Sequence, residues 1–167
     1  MKKIIIGLTL LCLHLLSFAD NALAKESSAT YRIDKTLDSF HQAAAQANFK
    51  RYFELLTDNA VFLGTDASER WTKAEFKHFV QPYFSQGKGW LYQVKQRHIT
   101  LNSEGNSAFF DELLYNQKYG QCRGSGVLYK TTQGWKIAQY NLSVPLPNLI
   151  AKDLVKQIKH FQQEKNP

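Results

Sequence analysis

The chain has 167 residues, 44% of them hydrophobic, and a formal charge of +7 at pH 7. Such an excess of positive charge can favour anionic partners. The basic residues are scattered, however, and no dense basic run is interleaved with aromatic side chains. The composition therefore argues against a nucleic-acid-binding protein.

The first 24 residues have the organisation of a secretory signal peptide. Lys2 and Lys3 precede a nearly continuous apolar run, Ile4–Phe18, and Ala22-Leu23-Ala24 supplies the small residues of a cleavage site. This run is too short to span a bilayer with such flanks, and no later run approaches the roughly 20 apolar residues that a spanning helix needs. We therefore expect an exported protein of a bacterial periplasm, with no integral membrane segment after cleavage.

Cleavage would leave residues 25–167, a length that suits one domain. Cys122 is then the single cysteine, so it cannot close an intramolecular disulfide. We expect Cys122 to be a small buried side chain on a strand. The alternatives are a nucleophile and an intermolecular disulfide.

Helical spacing of apolar residues predicts two helices, Tyr31–Asn48 and Phe49–Leu56. Thr57-Asp58-Asn59 is typical of a break, and Ala60–Leu63 is predicted to be a short strand ending at Gly64. The stripe of the first helix consists of Ile33, Leu37, Phe40, Ala44 and Ala47.

The loop between this strand and the next helix, within Phe62–Trp71, is rich in hydrogen-bond acceptors. Thr65, Asp66 and Ser68 are residue types that bond backbone amides in turns, so we expect a shaped turn. A metal loop would need more clustered carboxylates or histidines. Trp71 either lines the rim of a pocket or packs in the core.

Thr72-Lys73-Ala74-Glu75 predicts a capping box at the start of a third helix, which Pro82 limits. After Gly89 the apolar period changes from about 3.6 residues to 2, which predicts four strands. Their ranges are Trp90–Leu101, Ala108–Tyr115, Cys122–Thr131 and Trp135–Val144.

Short connections between these strands favour antiparallel neighbours. Helices grouped against such a sheet define an α+β fold, in which the mostly antiparallel sheet curves around the N-terminal helices. A last amphipathic helix carries Ile150, Leu154, Ile158 and Phe161 opposite its lysines. We expect this helix to pack on the sheet or on a partner rather than on a membrane surface.

Four separated motifs carry a resemblance to a known family. They are Phe62–Asp66 with Glu69–Trp71, then Phe110–Leu113, Arg123–Leu128 and Gly134–Ser143. In this order they resemble the nuclear transport factor 2-like superfamily, and more closely its SnoaL-like branch. The resemblance implies a cone with a pocket at its wide end, and often a homodimer. The superfamily includes ketosteroid isomerases, scytalone dehydratase, limonene-epoxide hydrolase and polyketide cyclases, so no single reaction is implied.

The domain boundaries follow from this resemblance. After the signal peptide, residues 25–32 form an N-terminal extension, residues 33–149 the cone domain, and residues 150–167 a C-terminal helix and tail.

The candidate pocket combines the resemblance with strand alternation. The resemblance turns Ala108 and Phe110 toward the helices, and Glu112 shares their face of the strand. Neighbouring strands could then bring polar side chains to this carboxylate. The candidate ligand-binding residues are Trp71, Trp90, Tyr92, Glu112, Arg123, Gln139 and Asn141.

Two interpretations of this polar group remain open. Glu112 and Arg123 either form a buried ion pair that the two amides satisfy, or belong to a ligand-binding cluster. In an apolar cone Glu112 could have a raised pKa and act as a catalytic acid or base. An adjacent arginine would oppose this by favouring the ionised carboxylate.

The four histidines of the mature chain show no metal-ligand spacing, so we expect no metal and no cofactor. We expect His41 and His78 on helix surfaces or edges and His98 on a strand. The remaining histidine is His160.

The leading functional hypothesis is a non-catalytic binding protein for a small apolar or amphipathic molecule. The second is a cofactor-independent isomerase, dehydratase or cyclase that uses Glu112 as its acid or base. The third is a homodimeric interaction module whose cone is filled by Trp71, Trp90, Tyr92 and Trp135.

Overall fold

The computed structural model describes residues 28–165. The predicted signal peptide, residues 1–24, lies outside the described residues. Within the described part the chain forms four helices and six strands. In chain order these are α1 (28–45), α2 (Phe49–Glu54), β1 (Leu56–Leu63), β2 (Arg70–Thr72), α3 (Lys73–Phe84), β3 (Gln93–Leu101), β4 (Ser107–Asn116), β5 (Gly120–Thr131), β6 (Gly134–Ser143) and α4 (Asn148–Lys165).

The strands form one curved, unclosed sheet in the order β2-β1-β6-β5-β4-β3. β1 and β6 are parallel, and the other neighbouring pairs are antiparallel. Side chains of α1, among them Ile33 and Leu37, share a single core with Phe110 and Ile137 of the sheet. The predicted α+β class, with a mostly antiparallel sheet around N-terminal helices, is confirmed.

The start of the sheet differs from the prediction. α2 ends at Glu54, and β1 begins at Leu56 instead of Ala60. The polar segment that was expected to break the chain therefore lies inside β1. Pairing with β6 shifts register between Leu56 and Val61, so the intervening residues bulge and Asp58 is exposed.

α3 begins at the predicted capping box. Thr72 N–H donates to Glu75 Oε2 at 2.8 Å, and Glu75 N–H donates to Thr72 Oγ1 at 3.3 Å. Pro82 does not end the helix, which continues to Phe84. α3 presents Phe76 and Val80 to the core.

β6 contains a bulge that decides which of its side chains face inward. Ile137 pairs with Leu128 and Gln139 pairs with Val127, so Ala138 is an extra residue on this strand. Before the bulge the buried residues are Trp135 and Ile137, and after it the buried residue is Tyr140.

α4 is exposed along its length. Its predicted apolar stripe does not pack on the sheet, because Ile150, Ile158 and Phe161 are each about half exposed. Within residues 28–165 no helix has the length and apolar character to cross a bilayer. Cys122, by contrast, is fully buried on β5, as predicted.

Candidate functional site

A cavity of about 840 Å³ opens between the concave face of the sheet and the helices. Trp71, Trp90 and Tyr92 line it, in agreement with their predicted location at a pocket. Most of its wall is aromatic. Besides these three, the aromatic residues of the lining are Phe40, Tyr52, Phe62, Phe76, Phe79, Tyr83, Tyr115, Tyr119 and Tyr140.

One wall of the cavity is a series of nearly parallel rings, which we call the ring ladder (Tyr140, Phe62, Phe76 and Phe79). Neighbouring ring centroids are 5.4 Å, 3.9 Å and 6.2 Å apart, at interplanar angles of 17°, 15° and 13°. Tyr140 is 2% exposed and Phe79 is 39% exposed, so the ladder runs from the interior to the mouth. Trp71 stacks on Phe79 at 4.8 Å, because β2 pairs with β1 and sets Trp71 opposite Phe62.

The opposite wall is built where α1 meets the segment before β3. The Trp90 amide donates to the Ala44 carbonyl at 3.2 Å, which fixes the indole beside Tyr52. Burial raises the pKa of Tyr52 well above its usual value, and a hydrogen bond with Trp90 opposes this only in part. Burial, followed by the neighbouring Cys122, raises the pKa of Tyr92 to about 12. Both phenols are therefore neutral at physiological pH.

The loop between β1 and β2 forms part of the mouth and is the shaped turn that the sequence predicted. Ser68 donates to Asp66 Oδ1 from both its amide and its hydroxyl, at 2.9 Å and 2.6 Å. Gly64 N–H donates to the Glu69 carbonyl at 2.8 Å and closes the turn. Thr65 and Glu69 line the cavity.

Glu112 lies at the centre of a buried polar network behind the cavity, which we call the Glu112 network (His41, Arg97, Glu112 and Tyr140). His41 Nε2 lies 2.6 Å from Glu112 Oε1, and the Tyr140 hydroxyl donates to the same oxygen at 2.9 Å. Arg97 Nε donates to Glu112 Oε2 at 2.9 Å. Glu112 is fully buried, so its predicted inward orientation is confirmed.

Arg97 extends the network to α1. Its Nη1 atom donates to Asp34 Oδ1 at 2.6 Å and to Asp38 Oδ1 at 2.9 Å. Lys35 in turn donates to Asp38 Oδ2 at 3.2 Å. The arginine thus ties β3 to both β4 and the first helix, at a position where its side chain is only 5% exposed.

Gly124 makes room for the carboxylate. It pairs with Glu112 in the register of β4 and β5. A β-carbon at this position would lie 2.7 Å from Glu112 Oε1 and would also collide with the Tyr140 hydroxyl. The absence of a side chain therefore lets the Glu112 network close against the strand.

Opposing effects act on the pKa of Glu112. Burial raises it, whereas the hydrogen bonds and charges of His41 and Arg97 lower it by more, so the pKa is below its usual value. The pKa of Tyr140 is raised well above its usual value, first by burial and then by the Glu112 charge. At neutral pH the network consequently contains an ionised carboxylate and a protonated phenol.

The predicted pairing of Glu112 with Arg123 is wrong. In the register of β4 and β5 Arg123 pairs with Leu113, one residue from Glu112, and therefore lies on the outer face, where it is exposed. The arginine that does reach the carboxylate is Arg97. Counting back from the β3–β4 turn, with Leu101 opposite Ala108, would have placed Arg97 opposite Glu112.

The predicted convergence of Gln139 and Asn141 on Glu112 is also wrong. The Ala138 bulge moves both amides to the outer face, where Asn141 pairs with Ser125. Neither amide lines the cavity. Regular alternation predicted their inward orientation, and one extra residue reverses it.

His41 was expected at a helix surface but is 8% exposed and belongs to the network. It was available in the sequence, because it follows Leu37 by four residues and precedes Ala44 by three, on one helix face. His78 is exposed, as expected. Among residues 28–165 no group of three or more His, Cys, Asp or Glu side chains is arranged to hold a metal ion.

Comparisons with known proteins agree with this architecture. The model of the SnoaL-like domain family matches residues 33–147. No curated protein is significantly similar to the chain in sequence.

Solved structures of low sequence identity share the fold. An NTF2-like protein of unknown function from Pseudomonas putida is 12% identical, with a TM-score of 0.62 over 73% of this chain and 90% of its own. A proposed scytalone dehydratase from Novosphingobium aromaticivorans is 10% identical, with a TM-score of 0.62 over 74% and 88%. A proposed ketosteroid isomerase from Shewanella frigidimarina is 20% identical, with a TM-score of 0.53 over 65% and 92%.

Proposed function

The chain belongs to the SnoaL-like domain family within the NTF2-like superfamily, and on this basis we propose that it binds a small, largely apolar molecule in its cavity. The observation that supports the proposal is the open space itself. Trp71, Trp90 and Tyr92 stand around it and leave about 840 Å³. Binding sites for small molecules fall in the same range and are similarly lined by aromatic side chains with few polar groups.

The aromatic wall suits a planar ligand. The ring ladder offers nearly coplanar faces along a path from the buried Tyr140 to the exposed Phe79. Offset stacking of a ligand ring on such faces adds to the free energy gained from burying apolar surface. Phe79 and Tyr83 remain accessible at the mouth, where they would be covered by a bound molecule.

Catalysis by Glu112 receives less support. A catalytic acid must reach its substrate and exchange protons near neutral pH. Glu112 is bonded to Arg97, His41 and Tyr140, does not line the cavity, and has a lowered pKa. These features suit a fixed carboxylate that orients other groups.

We further propose export and self-association. The signal-like residues 1–24 would direct the chain to a bacterial periplasm. The outer sheet face exposes Phe109, Tyr115 and Tyr129, and a second copy would cover these rings in a homodimer.

Native mass spectrometry of the protein purified from the exported fraction tests the binding proposal. A reproducible extra mass that is lost on denaturation would support a retained ligand. Ligand-free protein would then be titrated with naphthalene and followed by tryptophan fluorescence, since Trp71 and Trp90 line the cavity.

A matched pair of α3 variants assigns the binding to the cavity. Phe79→Ala removes part of the wall and should weaken naphthalene binding about tenfold, the loss expected for an aromatic contact and its buried area. Gln81→Ala on the same helix, outside the lining, should bind normally. Protein that carries no extra mass and shows no naphthalene binding up to its solubility limit would contradict the proposal.

A further inference from the structure

His41 is the member of the Glu112 network that carries a second titratable nitrogen and also lines the cavity. Its Nε2 atom lies 2.6 Å from Glu112 Oε1. An ionised carboxylate only accepts hydrogen bonds, so the proton of a neutral imidazole lies on Nε2. Glu112 therefore fixes both the ring orientation and the tautomer.

The other nitrogen, Nδ1, faces no partner in the described part of the chain. Within residues 28–165 the fully buried side-chain nitrogens and oxygens without a hydrogen bond are Arg97 Nη2 and Trp135 Nε1. His41 Nδ1 also makes no hydrogen bond there, yet it is not one of these buried atoms, so solvent reaches it. Since His41 lines the cavity, a neutral imidazole presents an unshared electron pair at the cavity's inner end.

Tyr140, at the same end, adds no free donor. Its hydroxyl hydrogen is donated to Glu112 Oε1 at 2.9 Å. Its oxygen keeps only acceptor capacity.

The charges behind His41 are unfavourable for an anion. Three carboxylates, those of Asp34, Asp38 and Glu112, are neutralised by two cations, Arg97 and Lys35. The cluster thus has a net charge of −1. A carboxylate ligand brought against this end would meet repulsion that water screens poorly in a buried site.

From this geometry we infer that the inner end of the cavity is a hydrogen-bond-acceptor site. It takes a neutral aromatic molecule bearing a hydroxyl or amino group, whose N–H or O–H donates to His41 Nδ1 while its ring stacks on the ring ladder. Glu112 is the positioning residue for the imidazole. The inference rests on the proposed binding function and adds the chemical class of the ligand.

Four probes of one ring system separate these statements. At pH 8 the dissociation constants of 2-naphthol, 2-methoxynaphthalene, naphthalene and 2-naphthoate are measured by tryptophan fluorescence and calorimetry. We expect 2-naphthol to bind five to tenfold more tightly than 2-methoxynaphthalene, the difference one net hydrogen bond makes. 2-Naphthoate should bind most weakly.

His41→Phe should abolish the preference for 2-naphthol and leave naphthalene binding within about twofold, since a ring is replaced by a ring. His78→Gln, on an exposed position of α3 outside the lining, should keep the full preference. Glu112→Gln should reduce the preference without abolishing naphthalene binding, as expected when only the tautomer is released.

The wild-type protein supplies a test that needs no variant. In a sample with ¹⁵N-labelled histidine, His41 should show a protonated Nε2 and an unprotonated Nδ1. The Nδ1 resonance should shift on addition of 2-naphthol and stay in place with naphthalene.

A protonated Nδ1, equal binding of 2-naphthol and 2-methoxynaphthalene, or tighter binding of 2-naphthoate would overturn the inference. Failure of naphthalene itself to bind would instead contradict the proposed function. The two failures are therefore distinguishable.

Discussion

Arg97 Nε and Glu112 Oε2 lie 2.9 Å apart across two neighbouring strands, and neither side chain is more than 5% exposed. A buried ion pair contributes little by itself, because desolvation offsets most of the attraction. Removing one member, however, leaves the other charge buried without compensation. This asymmetry makes the pair a sensitive point of the fold.

We expect Arg97→Met to lower the free energy of unfolding by about 3–5 kcal/mol, the usual loss when one partner of a buried pair is removed. Arg123→Met, which the sequence prediction would have chosen instead, should change it by less than about 0.5 kcal/mol, because Arg123 is exposed. Urea unfolding followed by tryptophan fluorescence gives both values. Equal losses for the two variants would contradict the assigned pairing.

The pH dependence of stability should follow Glu112. Because its pKa is lower in the folded chain than its usual 4.5, ionised Glu112 contributes stability above that value, and this contribution is lost as the pH falls through the folded-state pKa. The free energy of unfolding should therefore decrease below about pH 4.5. Denaturant unfolding between pH 3 and pH 7 measures the slope.

Glu112→Gln provides the comparison for that slope. The variant is less stable at every pH, but its stability should decline less steeply between pH 4.5 and pH 3. Asp38, whose pKa is also lowered despite its partial burial, accounts for part of the remaining slope. A slope identical to that of the wild type would show that Glu112 does not carry the effect.

Gly124→Ala should destabilise the protein by about 1–3 kcal/mol, the usual range for overpacking a filled interior. The new methyl group would collide with the Glu112 carboxylate and the Tyr140 hydroxyl. Ser125→Ala, the next residue on the same strand but on its outer face, is the control and should be nearly neutral. Thermal unfolding of both variants at pH 7 measures the difference, and a neutral Gly124→Ala would contradict the close packing described for the network.

Phe109→Asp should weaken the proposed homodimer at least tenfold, because it places a charge among the rings of the outer face. Phe109 is 60% exposed in the single chain. Leu91→Asp is the control, since Leu91 is 59% exposed but lies at the cavity mouth. Sedimentation velocity over a concentration series measures the association. A wild-type chain that remains monomeric throughout would rule the homodimer out.

The sequence predicted the fold class because its periodicities are long and its capping box is unambiguous. It failed on β1, where Asp58 and Asn59 are typical of a break but lie in a bulged strand. Local propensity could not show this, since the pairing with β6 that holds the segment joins residues about 80 positions apart in the chain.

The candidate site was predicted in part. Large aromatic residues beside predicted turns and strand ends gave Trp71, Trp90 and Tyr92 their place at the cavity. The partners of Glu112 were missed for different reasons. Arg97 required the register of a hairpin, and His41 required contact between α1 and β4, 71 residues away. Alternation on a single strand contains neither kind of information.

The Ala138 bulge has a consequence for how this cavity could change. Without that one residue, the register of the rest of β6 would shift and Gln139 and Asn141 would face the helices in place of Tyr140 and Leu142. A single-codon deletion could thus exchange a phenol that donates to Glu112 for two amides at the inner end. In this architecture the length of one strand, as much as any substitution, determines the chemistry that a bound molecule meets.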